Sequence, residues 1–207
     1  MSVKQAYDAW SKTYDADQNK TRDLEARALR ESVQPAEKLD ILEIGCGTGK
    51  NTQYLLTVAD NLIAADFSVE MLEKAQAKIF APKVQFRQMD LGEDWSFDNE
   101  SFDLVSCSLV LEHLENIEHV FRQAARVLRP GGRFYVGELH PFRQYQGGKA
   151  RFETGSGTFE LECFTHHISE FFAAGLNNGL RLADLREWFD PDDPAVTPRV
   201  LSMIFSK

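Results

Sequence analysis

The chain has 207 residues, 43% hydrophobic and 27% charged, a balance that describes one folded domain with a full core and excludes a disordered or membrane-spanning chain. Its formal net charge is −9, its sequence pI is near 5.1 and it has no basic run, which excludes duplex nucleic acid and anionic membranes as partners. Cys46, Cys107 and Cys163 form no C-x-x-C pair and no signal peptide or apolar span is visible, which argues against a disulfide framework and a metal site and places the chain in the cytoplasm.

In chain order, Ser2-x-x-Gln5 reads as a capping box, and Val3, Ala6, Tyr7, Trp10 and Tyr14 fall on one helical face. That aromatic stripe either packs on the domain or closes over a ligand as a lid. A helix is predicted from about Thr21 to Val33, with Asp23 and Glu25 in its first turn and Pro35 beyond its end. Leu39, Ile41, Leu42 and Ile44 then make a strand of the parallel type, apolar enough to be covered on both faces. It breaks into Gly45-Cys46-Gly47-Thr48-Gly49-Lys50. Glycines there free the backbone for positive φ and let a ligand approach the peptide plane, a cradle for part of a nucleotide-like cofactor. The spacing is G-x-G-x-G, and Lys50 stands where a dinucleotide fingerprint has its third glycine. Glu43, just before the loop, repels a pyrophosphate and suits a cationic ligand.

A helix from about Lys50 to Val58 leads to a strand, Asn61 to Asp66. Asp66 lies 17 positions after Gly49, close to the separation at which an acid ending the second strand reaches a ribose diol, with two oxygens for two hydroxyls. The alternative, an acid at a helix start, is weaker, because Ser68 is the better cap for the helix that runs to about Ile79. Lys83 to Met89 alternates polar with apolar as a third strand near a sheet edge. Asp90 behind it either accepts from an exocyclic amine or serves as the turn residue before Leu91-Gly92. A fourth strand, Leu104 to Cys107, is followed by Ser108 to Leu114, a segment facing the crevice between strands one and four. A helix from Asn116 to Arg129 ends at Pro130-Gly131-Gly132, and Arg133 to Glu138 is the fifth strand.

Five separate segments, in order, give this chain its resemblance to the class I S-adenosylmethionine-dependent methyltransferases, small-molecule branch. Leu42 to Gly49 resembles the family's glycine signature, Ala64 to Leu72 its second-strand acid and helix, and Met89-Asp90 its adenine-side acid. Ser101 to Leu114 resembles the region around strand four, and Leu128 to Gly132 the turn before strand five. Tyr7-Asp8-x-Trp10-Ser11-x-x-Tyr14-Asp15 also resembles the opening lid of that branch. The resemblance implies a Rossmann-like α/β fold: a seven-stranded, mostly parallel sheet with helices on both faces, an antiparallel last strand and a β-hairpin insert after strand five. It implies S-adenosylmethionine as cofactor, S-adenosylhomocysteine as product and a small molecule as methyl acceptor. Gly45 and Gly47, with Glu43 behind, would line its methionine end. Asp66 would hold the ribose, Phe67 would flank the adenine, Asp90 would receive the adenine amine with help from the Leu91 backbone, Ser108 would stand near the methionine, and Tyr14, Cys46, Gly49 and Met71 would also contact the cofactor.

The remaining chain is expected to hold a helix from about Ile168 to Asn177, a strand from Leu180 to Trp188, a loop from Asp190 to Pro194 and a last strand from Arg199 to Ser206. Ala150 to Thr154 and Thr158 to Phe164 read as a hairpin around Gly155-Ser156-Gly157. The whole is taken as one domain, with residues 1–34 as a helical lid and 140–167 as a substrate cap. Methyl transfer is an in-line displacement, so alignment and exclusion of water come first, and a base is needed only where the acceptor loses a proton. Candidates for that base are His140, His113, and His166 or His167, each otherwise a capping or surface residue, and Glu138 is the carboxylate alternative. His140, after strand five, is the first choice. Two rivals remain: a non-catalytic S-adenosylmethionine-binding or regulatory protein, and, against Lys50, a dinucleotide oxidoreductase.

Overall fold

The computed structural model describes residues 7, 8, 10, 11, 14, 15, 18–148, 151–154, 157–160, 163–191 and 193–207. Tyr7, Asp8 and Trp10 have helical backbone; the capping box predicted at Ser2 lies outside the described residues. The elements are α1 (Lys20–Ser32), β1 (Leu39–Ile44), α2 (Lys50–Val58), β2 (Ala59–Asp66), α3 (Val69–Lys78), β3 (Val84–Gln88) and β4 (Phe102–Ser108). After a 3-10 turn at Leu111–His113 come α4 (Glu118–Val127), β5 (Leu128–Leu139), α5 (Pro141–Tyr145), β6 (Arg151–Thr154), β7 (Gly157–Glu160), α6 (Ile168–Asn177), β8 (Arg181–Asp190) and β9 (Asp193–Ser206).

Seven strands form one sheet in the order β3-β2-β1-β4-β5-β9-β8. All pairs from β3 to β5 are parallel, and β9 runs antiparallel to both β5 and β8. The order reverses between β1 and β4, so the carboxyl ends of these strands open the crevice in which such sheets hold ligands. The hairpin β6–β7 is a separate antiparallel pair, as expected after strand five.

Strand side chains alternate between two cores with the period of two that a pleat imposes. Leu42, Ile44, Val105, Cys107, Phe134 and Val136 face one core, where Phe121 of α4 meets Phe134 and Phe205 edge-on at 5.1 and 5.2 Å. Ile41, Leu62, Leu104 and Tyr135 face the other, with Leu29 of α1 and Leu55 of α2. Both faces are covered, and that is why β1 and β4 read as nearly continuous apolar runs.

Two expected boundaries need correction. The helix predicted over Asn116–Arg129 stops at Val127, because Leu128 already pairs with Phe102 and the next ladder partner of β4 is Arg133, opposite Leu104. Arg129 to Gly132 therefore bulge from the ladder, with Gly131 at φ +81°. The loop expected over Asp190–Pro194 is instead a tight turn: β8 and β9 continue until Asp190 lies opposite Asp193. Arg199 holds Asp190 there with two hydrogen bonds of 2.5 and 2.6 Å.

Candidate functional site

The glycine loop supplies room more than donors. Gly45, Gly47 and Gly49 have φ of +73°, +53° and +86°. The amides of Gly45 and Cys46 donate to the Ala65 carbonyl (2.8 and 3.0 Å), and that of Gly49 donates to Cys46 (2.9 Å). Gly47 N–H donates to Asp66 Oδ2 at 2.8 Å, while Ser68 N–H donates to Asp66 Oδ1 at 2.9 Å. A carboxylate offers about four lone-pair positions, so each oxygen of Asp66 keeps acceptor capacity toward the cavity. Burial raises the Asp66 pKa, against the lowering effect of these amide bonds.

Beyond β1 and β4 lies a cavity of about 160 Å³. Its walls come from the glycine loop (Gly45, Gly47), the β2 end (Asp66, Phe67, Met71), the β3 end (Met89, Asp90, Leu91), the turn after β4 (Ser108 to Val110, His113, Leu114), and Tyr7 and Tyr14 above. A second, smaller cavity adjoins it through Tyr14, Gly45, Gly47, Ser108 and Leu109, and is lined by Arg22, Glu25, Glu43, Cys46 and Asn51. The two together suit one elongated ligand that bends past the glycine loop.

The second cavity is flanked by buried acids. Burial pushes the Glu43 pKa up to about 8, with Glu25 and Asp66 adding to the rise, although Thr52 donates to Glu43 Oε2 at 2.6 Å. Glu25, reaching in from α1, accepts from Ser108 Oγ and Asn51 Nδ2 (both 2.7 Å) and from the Tyr135 hydroxyl (3.1 Å), and burial raises its pKa as well. Two acids held toward the neutral form beside a cavity are poised to ionise for a cation.

At the first cavity's wall, the Tyr7 hydroxyl lies 2.8 Å from His113 Nε2. Burial holds the Tyr7 pKa well above its ordinary value, so the phenol stays protonated and donates to the ring. The segment bearing Tyr7 is tied down on both sides: Ser68 Oγ donates to Asp8 at 2.6 Å, and Asp15 takes Thr48 Oγ1 at 2.6 Å and Lys78 Nζ at 2.7 Å.

Residues 42–136 match a family model described as a methyltransferase domain. That match takes in 95 of the 207 residues. Among solved structures, the chain is similar in fold to an S-adenosylmethionine-dependent methyltransferase from Mesorhizobium loti (TM-score 0.74, 20% identity, covering 87% of this chain and 96% of that one). It is also similar to DhpI in a DhpI-SAM-HEP complex (TM-score 0.77, 24% identity, 98% and 94%). A demethylmenaquinone methyltransferase from Mycolicibacterium gilvum is 40% identical over 115 residues, 55% of this chain and 47% of the relative. The chain spans less than half the length of the curated relatives it matches.

Of the residues singled out from sequence, the fold places Tyr14, Gly45, Gly47, Asp66, Phe67, Met71, Asp90, Leu91, Ser108 and His113 around the first cavity, and Glu43 and Cys46 around the second. Asp90 lines the cavity, and its Oδ1 accepts from Gly92 N–H at 2.9 Å as a turn acid does. Three others line neither cavity. Gly49 is the left-handed cap of α2, and a Cβ there would press on Ile79. His140 stands away from the cavities as the cap of α5, with Nδ1 accepting from Phe142 N–H at 3.1 Å and Nε2 3.0 Å from Glu187, so both ring nitrogens are engaged. Glu138 is buried beneath the turn after β4, where its Oε1 accepts from the amides of Val110 and Leu111. His167 caps α6, and His166 lies against the carbonyls of Leu111 and Leu114.

The sequence reading missed Glu25 and Arg22 and the apolar walls Met89, Leu109, Val110 and Leu114. One signal for Glu25 was available: it sits among Leu24, Ala28 and Leu29 on the buried side of α1, where an unpaired acid is out of place.

Proposed function

We propose that this chain binds S-adenosylmethionine and transfers its methyl group to a small protic molecule. The observation that carries the reading is the pair of joined cavities: Asp66 with spare acceptor capacity in the first, and Glu25, Glu43 and Arg22 around the second. Asp66 would accept from the ribose hydroxyls, with Asp90 and Leu91 at the adenine. Glu43 and Glu25 would face the ammonium of the methionine tail, and Arg22 its carboxylate. The cofactor brings a methyl group made electrophilic by a positively charged sulfur. A relative of this domain is named 27-O-demethylrifamycin SV methyltransferase, which supports a small-molecule acceptor.

Tyr7 and His113 move the proton. Where the acceptor loses a proton on methylation, Tyr7 Oη would take that proton and pass its own to His113 Nε2, 2.8 Å away. Leu109, Val110, Leu114 and Met89 keep water from the reacting atoms. In this reading, residues 1–207 are one domain, with residues 1–34 as the lid that carries Tyr7 and 140–167 as the cap over the acceptor. The Phe164 N–H bond to the Glu112 carbonyl, 2.7 Å, ties that cap to the turn after β4. A cytoplasmic setting accords with three cysteines that are in no disulfide, and no helix among the described residues is long and apolar enough to cross a membrane.

The test is transfer of label from methyl-labelled S-adenosylmethionine to a panel of phenols, thiols and amines. His113→Phe should lower kcat by about 100-fold or more with unchanged affinity for S-adenosylhomocysteine. Full turnover in that variant on every accepted substrate would rule out the relay.

A further inference from the structure

The turn after β4 is held at both ends by buried side chains that no ligand-facing role explains. Glu138 Oε1 accepts from Val110 N–H at 3.0 Å and from Leu111 N–H at 2.9 Å, at the start of the turn. At its end, His166 Nε2 lies 3.2 Å from the Leu111 carbonyl and 2.8 Å from that of Leu114, so an Nε2–H donates to both. Glu138 is 2% exposed and His166 8%. Between these clamps the turn carries His113 and begins from Leu109 at φ +56°, a conformation that a leucine rarely adopts unaided.

We propose that Glu138 and His166 are positioning residues that hold residues 109–114 in the strained turn and so fix the His113 ring against the methyl-transfer site. The proposal rests on the assignment of His113 to the acceptor's proton. Chemically the two clamps are complementary. An acceptor serves the amides at the open start of a 3-10 turn, and a donor serves the Leu114 carbonyl beyond its end while sharing the Leu111 carbonyl with Leu114 N–H, which donates to it at 3.0 Å. Glu138 Oε2 is buried without a hydrogen-bond partner among the described residues. Burial, with Glu112 and Glu25 nearby, pushes this carboxyl up to about 8, so at neutral pH it acts as a neutral carbonyl acceptor. A glutamine supplies the same carbonyl.

Amide hydrogen exchange on the full chain, read by NMR, tests the clamp without any knowledge of the acceptor. In Glu138→Leu, protection at Val110 and Leu111 should fall by about 100-fold, while Leu42 and Val105 in the sheet change by less than about threefold. Glu138→Gln should stay within about fivefold of the unaltered chain at all four amides. His166→Phe should expose Phe164 N–H, which bonds the turn at Glu112, and His166→Gln should restore it. Unchanged protection in Glu138→Leu, an equal loss in Glu138→Gln, or a loss spread evenly through the sheet would each overturn the proposal. The outcomes separate from those for His113: an active His113→Phe variant removes the relay, whereas the exchange pattern reports on the clamp alone.

Discussion

At the scale of single residues the site is governed by burial of acids. Glu43 has a folded pKa of about 8 against an ordinary value of 4.5, so between those values the folded chain binds more protons than the unfolded one. Stability from this group is therefore full below about pH 4.5 and is lost as the pH rises toward and through 8. The unfolding free energy in urea should fall between pH 5 and 8, and Glu43→Gln should flatten part of that slope. An ammonium placed beside Glu43 favours its carboxylate, so cofactor binding at pH 7 should release a proton. Calorimetry in phosphate and in Tris should give different apparent enthalpies, and the difference should shrink in Glu43→Gln. Residue placement was legible in the sequence where position along a strand decides it, as for Asp66 at the end of β2 on the cavity wall. They were not where a cap and a base share one signal: His140 and His113 both follow strand ends, and only the hydrogen bonds of His140 to Phe142 and Glu187 show that its ring is committed to α5.

At the scale of elements, the glycine loop and the turn after β4 are built against one another. A Cβ on Gly45 would collide with Val110, whereas one on Gly47 would meet nothing within 4 Å. Both residues have positive φ, so alanine at either costs about 1–2 kcal/mol in backbone strain alone. Gly45→Ala should lose several degrees more in Tm than Gly47→Ala, because it also displaces the turn that carries His113. Equal losses in thermal unfolding would show that the two segments do not press on each other. Helix starts were readable from local chemistry, with Ser68 accepting from Met71 N–H at 3.2 Å as a cap should. Strand ends were less so: the bulge at Arg129–Gly132 and the tight turn at Asp190 depend on ladder partners far along the chain, which hydrophobic alternation does not contain.

At the scale of the whole molecule, the parallel order places the ends of β1, β2, β3 and β4 on one rim, so acids and glycines about 45 residues apart in sequence converge on one cavity. Motif order along the chain makes that rim legible in the sequence. The contribution of α1 was not legible, since Glu25 becomes a site residue only through packing that carries it to Ser108, 83 positions away. The central claim is that the joined cavities hold S-adenosylmethionine, and isothermal titration of the full chain with S-adenosylmethionine and S-adenosylhomocysteine, beside NAD, addresses it most directly. The account predicts saturable binding of the first two, weakened about tenfold or more by Asp66→Ala, and none of NAD. Folded protein that binds neither, or that binds NAD instead, would contradict it.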